Sequence, residues 1–307
     1  MSVVVSVRNG EPFVAACLES LLAQDYPKDR HEIFVVDNGS TDGTVQALKH
    51  YDVKVLSKPA PFGCGAARNA GIQQSRGDLI AITDIDCVPD RQWLRCLAEG
   101  WEEAAYGGFV GTISILPTEN PIEQWMAQFY DQAENLKHSP FAIAQTANVA
   151  YRRQVFERIG GFDENLPWWA DVEFAWRMQS QTAYRYQWNP RAVIYHRNRA
   201  TLGEVAQKFY GRGYGKAACA KRIPPFRTPP IPWLSARHGC RAAVQAGKVM
   251  LRSLGAAFDQ NQKTALLRTQ FWFSFHLGMA AGLAWGWLDS KNNHPFIPKL
   301  QEGVEIK

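Results

Sequence analysis

Acidic residues are missing where the chain is most basic: between Arg191 and Arg252 the only one is Glu204. The same stretch carries Arg191, Arg197, Arg199, Lys208, Arg212, Lys216, Lys221, Arg222, Arg227, Arg237, Arg241, Lys248 and Arg252. Such a block is either a solvated basic face or a surface for an anionic partner: phosphates, a nucleic acid or an acidic membrane. Paired cysteines are missing too. Cys17, Cys64, Cys87, Cys96, Cys219 and Cys240 are scattered with no Cys-x-x-Cys pair, which argues against a zinc site or a disulfide framework. Reduced thiols in a cytosolic protein are the expectation. The opening run Ser2–Val7 meets Arg8 too early for an export signal, so a cytoplasmic location is expected. No internal repeat, low-complexity tract, dinucleotide fingerprint or Walker loop occurs, which disfavours repeat, dehydrogenase and NTPase readings.

What is present is room for a core and a regular beginning. At 307 residues the chain can hold one large α/β domain or two smaller ones. Val3–Val7 predicts a buried strand, Phe13–Leu22 a helix, and Ile33–Val36 a second strand. A helix from Thr44, a weak strand at Val53–Leu56, a helix over Ala66–Gln74 and a strand at Leu79–Thr83 follow. Strands alternating with helices at this spacing predict a mostly parallel sheet with helices on both faces. In such sheets ligands sit beyond the carboxyl ends of the strands, so the polar turns after Val7, Val36 and Thr83 are where chemistry is expected. The second half is less regular. The pattern predicts a strand at Phe109–Ile115, helices over Ile122–Leu136 and Val172–Gln181, and a strand at Val193–Tyr195 leading into His196. Ile223–Pro232 is proline-rich and reads as a linker. Two helices are expected beyond it, one basic and one apolar.

The most informative segment is Thr83-Asp84-Ile85-Asp86-Cys87, directly after an apolar strand. In extended chain alternate side chains share a face, so Asp84 and Asp86 can converge on one ligand. Two carboxylates at a strand end suit Mg²⁺ or Mn²⁺ holding a diphosphate; taken alone, such a triplet is more often two solvated acids in a loop. Asp37-Asn38-Gly39-Ser40-Thr41-Asp42-Gly43 places a carboxylate and an amide at the same sheet edge, able to pair with a base or merely to form a turn. Gly63-Cys64-Gly65 opens a helix whose N–H groups can meet a phosphate, with Arg68 one or two turns in.

Order and spacing now carry a resemblance. Val3–Asn9, Glu11, Ser20-Leu21-Leu22-x-Gln24-x-Tyr26-Pro27, Val36–Gly43, Ala67-Arg68-Asn69-x-Gly71 and Asp84-x-Asp86 resemble the family 2 glycosyltransferases of the GT-A fold. Weaker matches run to about residue 215: Thr146-Ala147-Asn148-x-Ala150-x-Arg152-Arg153, Gly160–Glu164, Asp171-x-Glu173 and His196. The resemblance implies a metal-dependent enzyme moving a sugar from a nucleoside-diphosphate sugar, UDP-linked by preference, to an acceptor hydroxyl of a glycan, a lipid or a small molecule. It implies that Val7, Asn9, Glu11, Asp37, Asn38 and Arg68 lie along the nucleotide, with Asn38 standing where an Asp is frequent. It further implies that Asp84 touches the ribose or the metal, that Asp86 binds Mn²⁺ or Mg²⁺, and that His196 completes the metal shell or meets the diphosphate. Asp171 is the candidate general base, with inversion the stereochemical consequence, and Glu173 is the reserve. The family usually has Glu-Asp here, whereas this chain has Ala170-Asp171. Arg199 or Arg212 is expected to close over the diphosphate. Trp168-Trp169 is expected to stack on an acceptor sugar, or to pack in the core.

The expected division is a GT-A domain over 1–222 (a nucleotide-sugar half, 1–105, and an acceptor half, 106–222), a linker at 223–232 and a helical extension at 233–307. Phe271–Leu288 is apolar and aromatic, interrupted by Ser274 and His276, and is near the lower length limit for crossing a bilayer. With the basic stretch Arg237–Arg252 upstream, it fits a segment lying at the inner membrane face beside anionic lipids, or else a packing helix. A processive polysaccharide synthase is disfavoured by the lack of a Gln-x-x-Arg-Trp motif. A nucleotide-sugar binder without catalysis is the other alternative. A nucleic-acid partner is not expected, because it leaves both carboxylate turns unexplained.

Overall fold

The first strand, β1 (Ser2–Val7), is apolar without alternation because both of its faces are covered: Val3 and Val5 belong to one core cluster and Val4 to the other. The computed structural model describes residues 1–57, 63–138, 140–224, 231–253 and 260–289. In chain order β1 leads to α1 (Glu11–Leu22), β2 (Glu32–Asp37), α2 (Thr44–Leu48), β3 (Lys54–Ser57), α3 (Cys64–Gln74) and β4 (Leu79–Asp84). These strands pair in parallel in the order β3-β2-β1-β4, with Val7 beside Asp37 and Ser6 beside Asp84. Three strands therefore end level with one another, and their carboxyl-terminal residues form one edge.

The second half extends the same sheet with mixed polarity. It contains β5 (Cys87–Pro89), α4 (Trp93–Ala98), β6 (Tyr106–Ile115), α5 (Pro121–Met126), α6 (Gln132–Leu136), β7 (Val149–Arg152), α7 (Arg153–Ile159), α8 (Ala170–Gln181) and β8 (Arg185–His196). The described strands lie in the order β3-β2-β1-β4-β7-β6-β8-β5, and four of the seven pairings among them are parallel. Buried Asn148 ties this half together: Nδ2 donates to the Thr112 and Ala192 carbonyls at 2.7 and 2.8 Å, and Oδ1 accepts from the Trp93 indole at 2.8 Å. In the parallel half Asn69 acts similarly, accepting from the Phe162 amide at 2.8 Å and donating to its carbonyl at 2.9 Å.

Two expectations need correction. The single helix over Ile122–Leu136 is broken: α5 ends at Met126, a 3-10 turn spans Ala127–Phe129, and α6 restarts at Gln132. Asp131 causes the restart, its carboxylate accepting from the Glu134 amide at 3.0 Å as an N-cap. The strand at Val193–Tyr195 is the end of a longer one, whose earlier part follows β6 through two register shifts.

Beyond the sheet, α9 (Leu202–Arg222), α10 (Ile231–Ser253) and α11 (Gln260–Leu288) form a helical layer. Residues 225–230 of the expected linker lie outside the described residues. Ile231-Pro232 forms the first turn of α10, where a proline loses no intrahelical bond. The apolar α11 lies against α9 at close backbone approach. Gly278, Gly282 and Gly286 line the seam four residues apart, and a Cβ added at Gly286 would stand 2.7 Å from the Tyr214 carbonyl oxygen. From the opposite side, a Cβ on Gly213 would stand 2.6 Å from the Met279 carbonyl oxygen. Phe271 and Leu283 are fully buried, while Leu277, Trp285, Trp287 and Leu288 are exposed. No helix among the described residues is long and apolar enough to cross a membrane.

Gly282 faces the Tyr210 carbonyl inside normal contact distance, so a side chain there must push backbone from backbone. Gly282→Leu is expected to destabilise the protein by about 2 kcal/mol or more, read as a lower urea midpoint. Gly239→Leu on α10, where nothing lies within 4 Å, is the control and is expected to leave the midpoint unchanged or raised. Equal midpoints for the two variants would contradict the close seam.

Candidate active site

The chain passes from β1 to β2 on one side and returns to β4 on the other, so a crevice opens beyond the carboxyl ends of β1 and β4. A cleft of about 320 Å³ lies there. It brings together Val7, Asn38, Arg68, Asp84, Asp86, Asp171, His196 and Arg199 from the sequence-predicted set. It also holds Tyr130 and Lys208, which the sequence reading did not single out as site residues.

Arg68 projects from α3 and donates through Nη2 to Asp84 Oδ1 at 2.7 Å, with its own side chain only 8% exposed. Burial opposes its charge, but Asp84 and, farther off, Asp171 hold the guanidinium pKa above its ordinary value. Its Nε has no hydrogen-bond partner among the described residues. Asp84 is thereby engaged with Arg68, leaving Asp86 to face a different neighbour.

That neighbour is His196. The antiparallel pairing of β5 with β8 places Cys87 opposite His196, and the Arg197 amide donates to the Asp86 carbonyl at 2.9 Å. Asp86 Oδ1 consequently lies 3.6 Å from His196 Nε2. Burial lowers the His196 pKa although Asp86 opposes it, so the ring is neutral at neutral pH, the form that ligates metals. Asp86, Cys87 and His196 place one donor atom each within 4.8 Å of one another. Burial raises the Cys87 thiol well above its ordinary pKa, which leaves a neutral sulfur that a hard cation does not favour. A carboxylate and a neutral imidazole fit Mn²⁺ or Mg²⁺. Two donors about 2.1 Å from one octahedral ion stand roughly 3.0 Å apart at right angles and 4.2 Å apart when opposite, a range that includes the observed separation.

Asp171 reaches the cleft from the first turn of α8. The preceding residue but one, Trp169, takes a left-handed backbone at φ 67°, costly for a residue with a Cβ, and lets the helix start abruptly. Its ring lies against Gly215 of α9, where a Cβ would stand 2.7 Å away. Asp171 Oδ1 accepts from the Val172 amide at 2.9 Å. Burial pushes the Asp171 carboxyl above the usual carboxylate range, with Arg68 opposing the shift and Asp84 adding to it.

The remaining predicted residues sit elsewhere. Asp37 turns its carboxylate onto the Ser40 amide at 3.2 Å. Asn9 accepts from the Thr41 amide at 2.8 Å, and Glu11 accepts from the Gly43 amide at 3.1 Å. All three brace the turns after β1 and β2. Val7 lends its carbonyl to the Asn38 amide at 2.8 Å, which fixes Asn38 at the cleft. Glu173 is buried and doubly bonded to Arg177, at 2.6 and 2.7 Å, away from the cleft lining. Trp168 packs edge-on to Tyr210 and Tyr214 of α9. Arg212 donates to the Phe129 carbonyl at 3.1 Å and lies over the Phe129 and Phe209 rings.

The sequence and the fold resemble those of known proteins. Haloferax volcanii "Glycosyltransferase AglE" is 30% identical over 230 residues, covering 70% of this chain and 72% of AglE. The chain spans 49–51% of the length of further curated glycosyltransferase relatives it matches. Among solved structures, the mannosyltransferase PcManGT of Pyrobaculum calidifontis, in complex with GDP-Man and Mn²⁺, superposes with a TM-score of 0.61 at 20% identity. That match covers 94% of this chain and 87% of PcManGT. Staphylococcus aureus TarS 1–349, in complex with UDP-GlcNAc, superposes at 0.51 and 15% identity over 91% and 90% of the two chains. The sequence profile described as "Glycosyl transferase family 2" matches residues 2–160, and this chain, with its GT-A fold, belongs to that family of glycosyltransferases.

Proposed function

We propose that the chain transfers a sugar from a nucleoside-diphosphate sugar to an acceptor hydroxyl, with Mn²⁺ or Mg²⁺ bound and with inversion at the anomeric carbon. The observation that carries this reading is the meeting of Asp171, the Arg68–Asp84 pair and the Asp86–His196 pair in one cleft at the switch point of the sheet. The nucleotide sugars held by the two superposed structures support such a donor. A UDP-linked donor is the favoured reading, with Asn38 at the cleft edge facing the base.

Asp171 is the general base. An acceptor hydroxyl is a poor nucleophile at neutral pH, and a carboxylate positioned against it takes its proton as attack proceeds. Arg68 and Asp84 hold the nucleoside side of the donor, and Asp86 with His196 would hold the ion. Once bound, that ion offsets the negative charge growing on the departing diphosphate. A base opposite the leaving group gives single displacement, hence inversion. The acceptor is a glycan, a lipid or another small hydroxyl compound.

The basic, tryptophan-bearing extension supports contact with an anionic membrane surface at the cytoplasmic face. Trp233 is 52% exposed with the Arg237 guanidinium 5.4 Å over its ring, and Trp285, Trp287 and Leu288 are exposed on α11. Vesicles with one third anionic lipid are expected to sediment the protein at low salt, and neutral vesicles are not. Equal retention by both, or by neither, would remove the membrane from the proposal.

The enzymatic reading is tested by nucleotide release from UDP-, GDP- and dTDP-sugars, with Mn²⁺ or EDTA. Metal-dependent release from one donor is expected, with Asp86→Ala reducing it at least about 100-fold. Asp171→Asn is expected to reduce transfer at least about 100-fold while donor binding persists. Only the ionised Asp171 accepts a proton, and its pKa is raised by burial. Activity should therefore fall with decreasing pH above the ordinary carboxylate range, and the acid limb should vanish from the residual rate of Asp171→Asn. Release that is indifferent to EDTA and to Asp86→Ala would overturn the metal-dependent mechanism. Donor binding without any turnover, across a panel of acceptors, would favour a binder that has lost catalysis.

A further inference from the structure

The cleft contains a cation that no carboxylate contacts as an ion pair among the described residues. Lys208 lies on α9, half-buried, and lines the cleft that holds Asp84, Asp86 and Asp171. None of these carboxylates pairs with it among the described residues: Asp84 binds Arg68, Asp86 adjoins His196, and Asp171 accepts from the Val172 amide. The partner of Lys208 is a neutral phenol, since its Nζ donates to the Tyr130 hydroxyl and lies 3.9 Å from that ring's centre. Tyr130 in turn packs on His196, with ring centres 4.4 Å apart. The series Asp86, His196, Tyr130, Lys208 thus runs unbroken from the candidate metal ligands to a free positive charge. A half-buried ammonium beside Arg199 and Arg212, with no carboxylate in ion-pair contact among the described residues, gains from a ligand that supplies negative charge. Burial, helped by those two arginines and opposed by Asp86 and Asp84, pushes the Lys208 pKa well below the lysine range.

We infer that Lys208, oriented by Tyr130, binds the donor's diphosphate beside the Asp86–His196 pair, an assignment that rests on the donor reading above. A diphosphate brings the negative charge the cleft lacks at this point, and charge is greatest there as the sugar departs. Two features of the fold serve this placement. The break between α5 and α6 leaves Tyr130 at the cleft, where a continuous helix would carry it past. The glycine seam with α11 holds α9, so the helical extension fixes the position of Lys208. Arg212 is bonded to the Phe129 carbonyl and lies outside the residues lining the cleft.

Calorimetric titration of the full chain with UDP and GDP, and with UMP and GMP, in Mn²⁺ tests this. Lys208→Met is expected to weaken the diphosphate that wild type binds by about 10- to 100-fold and to leave the monophosphate within about threefold. Lys208→Arg is expected to restore most of the diphosphate affinity, and Tyr130→Phe, which removes only the orienting hydroxyl, to lose part of it. If the Met variant does not fold, Lys208→Gln, which still reaches Tyr130, carries the same expectation. Undiminished diphosphate affinity in the Met or Gln variant overturns the inference alone. So does an equal loss for mono- and diphosphate, which marks a structural lysine. Wild type that binds no nucleoside diphosphate overturns the donor reading, and this inference with it.

Discussion

A buried arginine at the cleft lining, paired with a single carboxylate, constrains everything around it. Arg68 can be buried only because Asp84 meets it at 2.7 Å, and Asp84 can be there only because β4 ends level with β1. Removing one member of such a pair leaves an uncompensated charge in a poor solvent, a loss of about 3–5 kcal/mol. The pair therefore fixes α3 against the sheet edge and assigns the two acids of the Asp84-Ile85-Asp86 turn to different tasks. Asp84 is held by the arginine, and Asp86 is released toward β8. Ile85, between them, is buried in the core.

The second constraint comes from the far end of the chain. Sheet, α8 and α9 each contribute one wall of the cleft, and α9 is held by α11 through backbones that touch where glycine permits. The apolar run at Phe271–Leu288 thus has a packing role on one face whatever its exposed tryptophans meet on the other. Both charge signs line the cleft: the carboxylates come from the sheet edge and the start of α8, and the cations from the turn after β1 (Arg8), α3 (Arg68), the segment after β8 (Arg199) and α9 (Lys208). A metal–diphosphate ligand carries both signs and fits between such walls.

Strands β1, β2 and β4 of the parallel half were legible because they obey one rule. A strand buried on both faces is a continuous apolar run, and each run ends in a polar turn that marks the site. The mixed half obeys no such local rule. β5 has three residues and β7 four, too short to show a period, and each exists because a neighbour supplies its hydrogen bonds. The break before α6 hid in an aspartate that reads equally well as a helix-surface residue. Residue type alone did not show the local bonding of three residues of the family pattern: Asn9 and Glu11 brace the turn after β1 against the turn after β2, and Asp37 braces its own turn. Lys208 went unseen for the opposite reason, since one lysine among thirteen basic residues carries no local signal of what it faces.

The account stands on the claim that Asp86 and His196 hold the ion at which the donor's diphosphate binds. Anomalous scattering at the manganese edge, from crystals grown with Mn²⁺ and the nucleoside diphosphate the protein prefers, tests it directly. The account predicts one strong peak within bonding distance of Asp86 and His196, adjoining the diphosphate, with Arg68 still on Asp84. A well-ordered diphosphate in the cleft with no peak there, or a peak ligated by other residues, would contradict it.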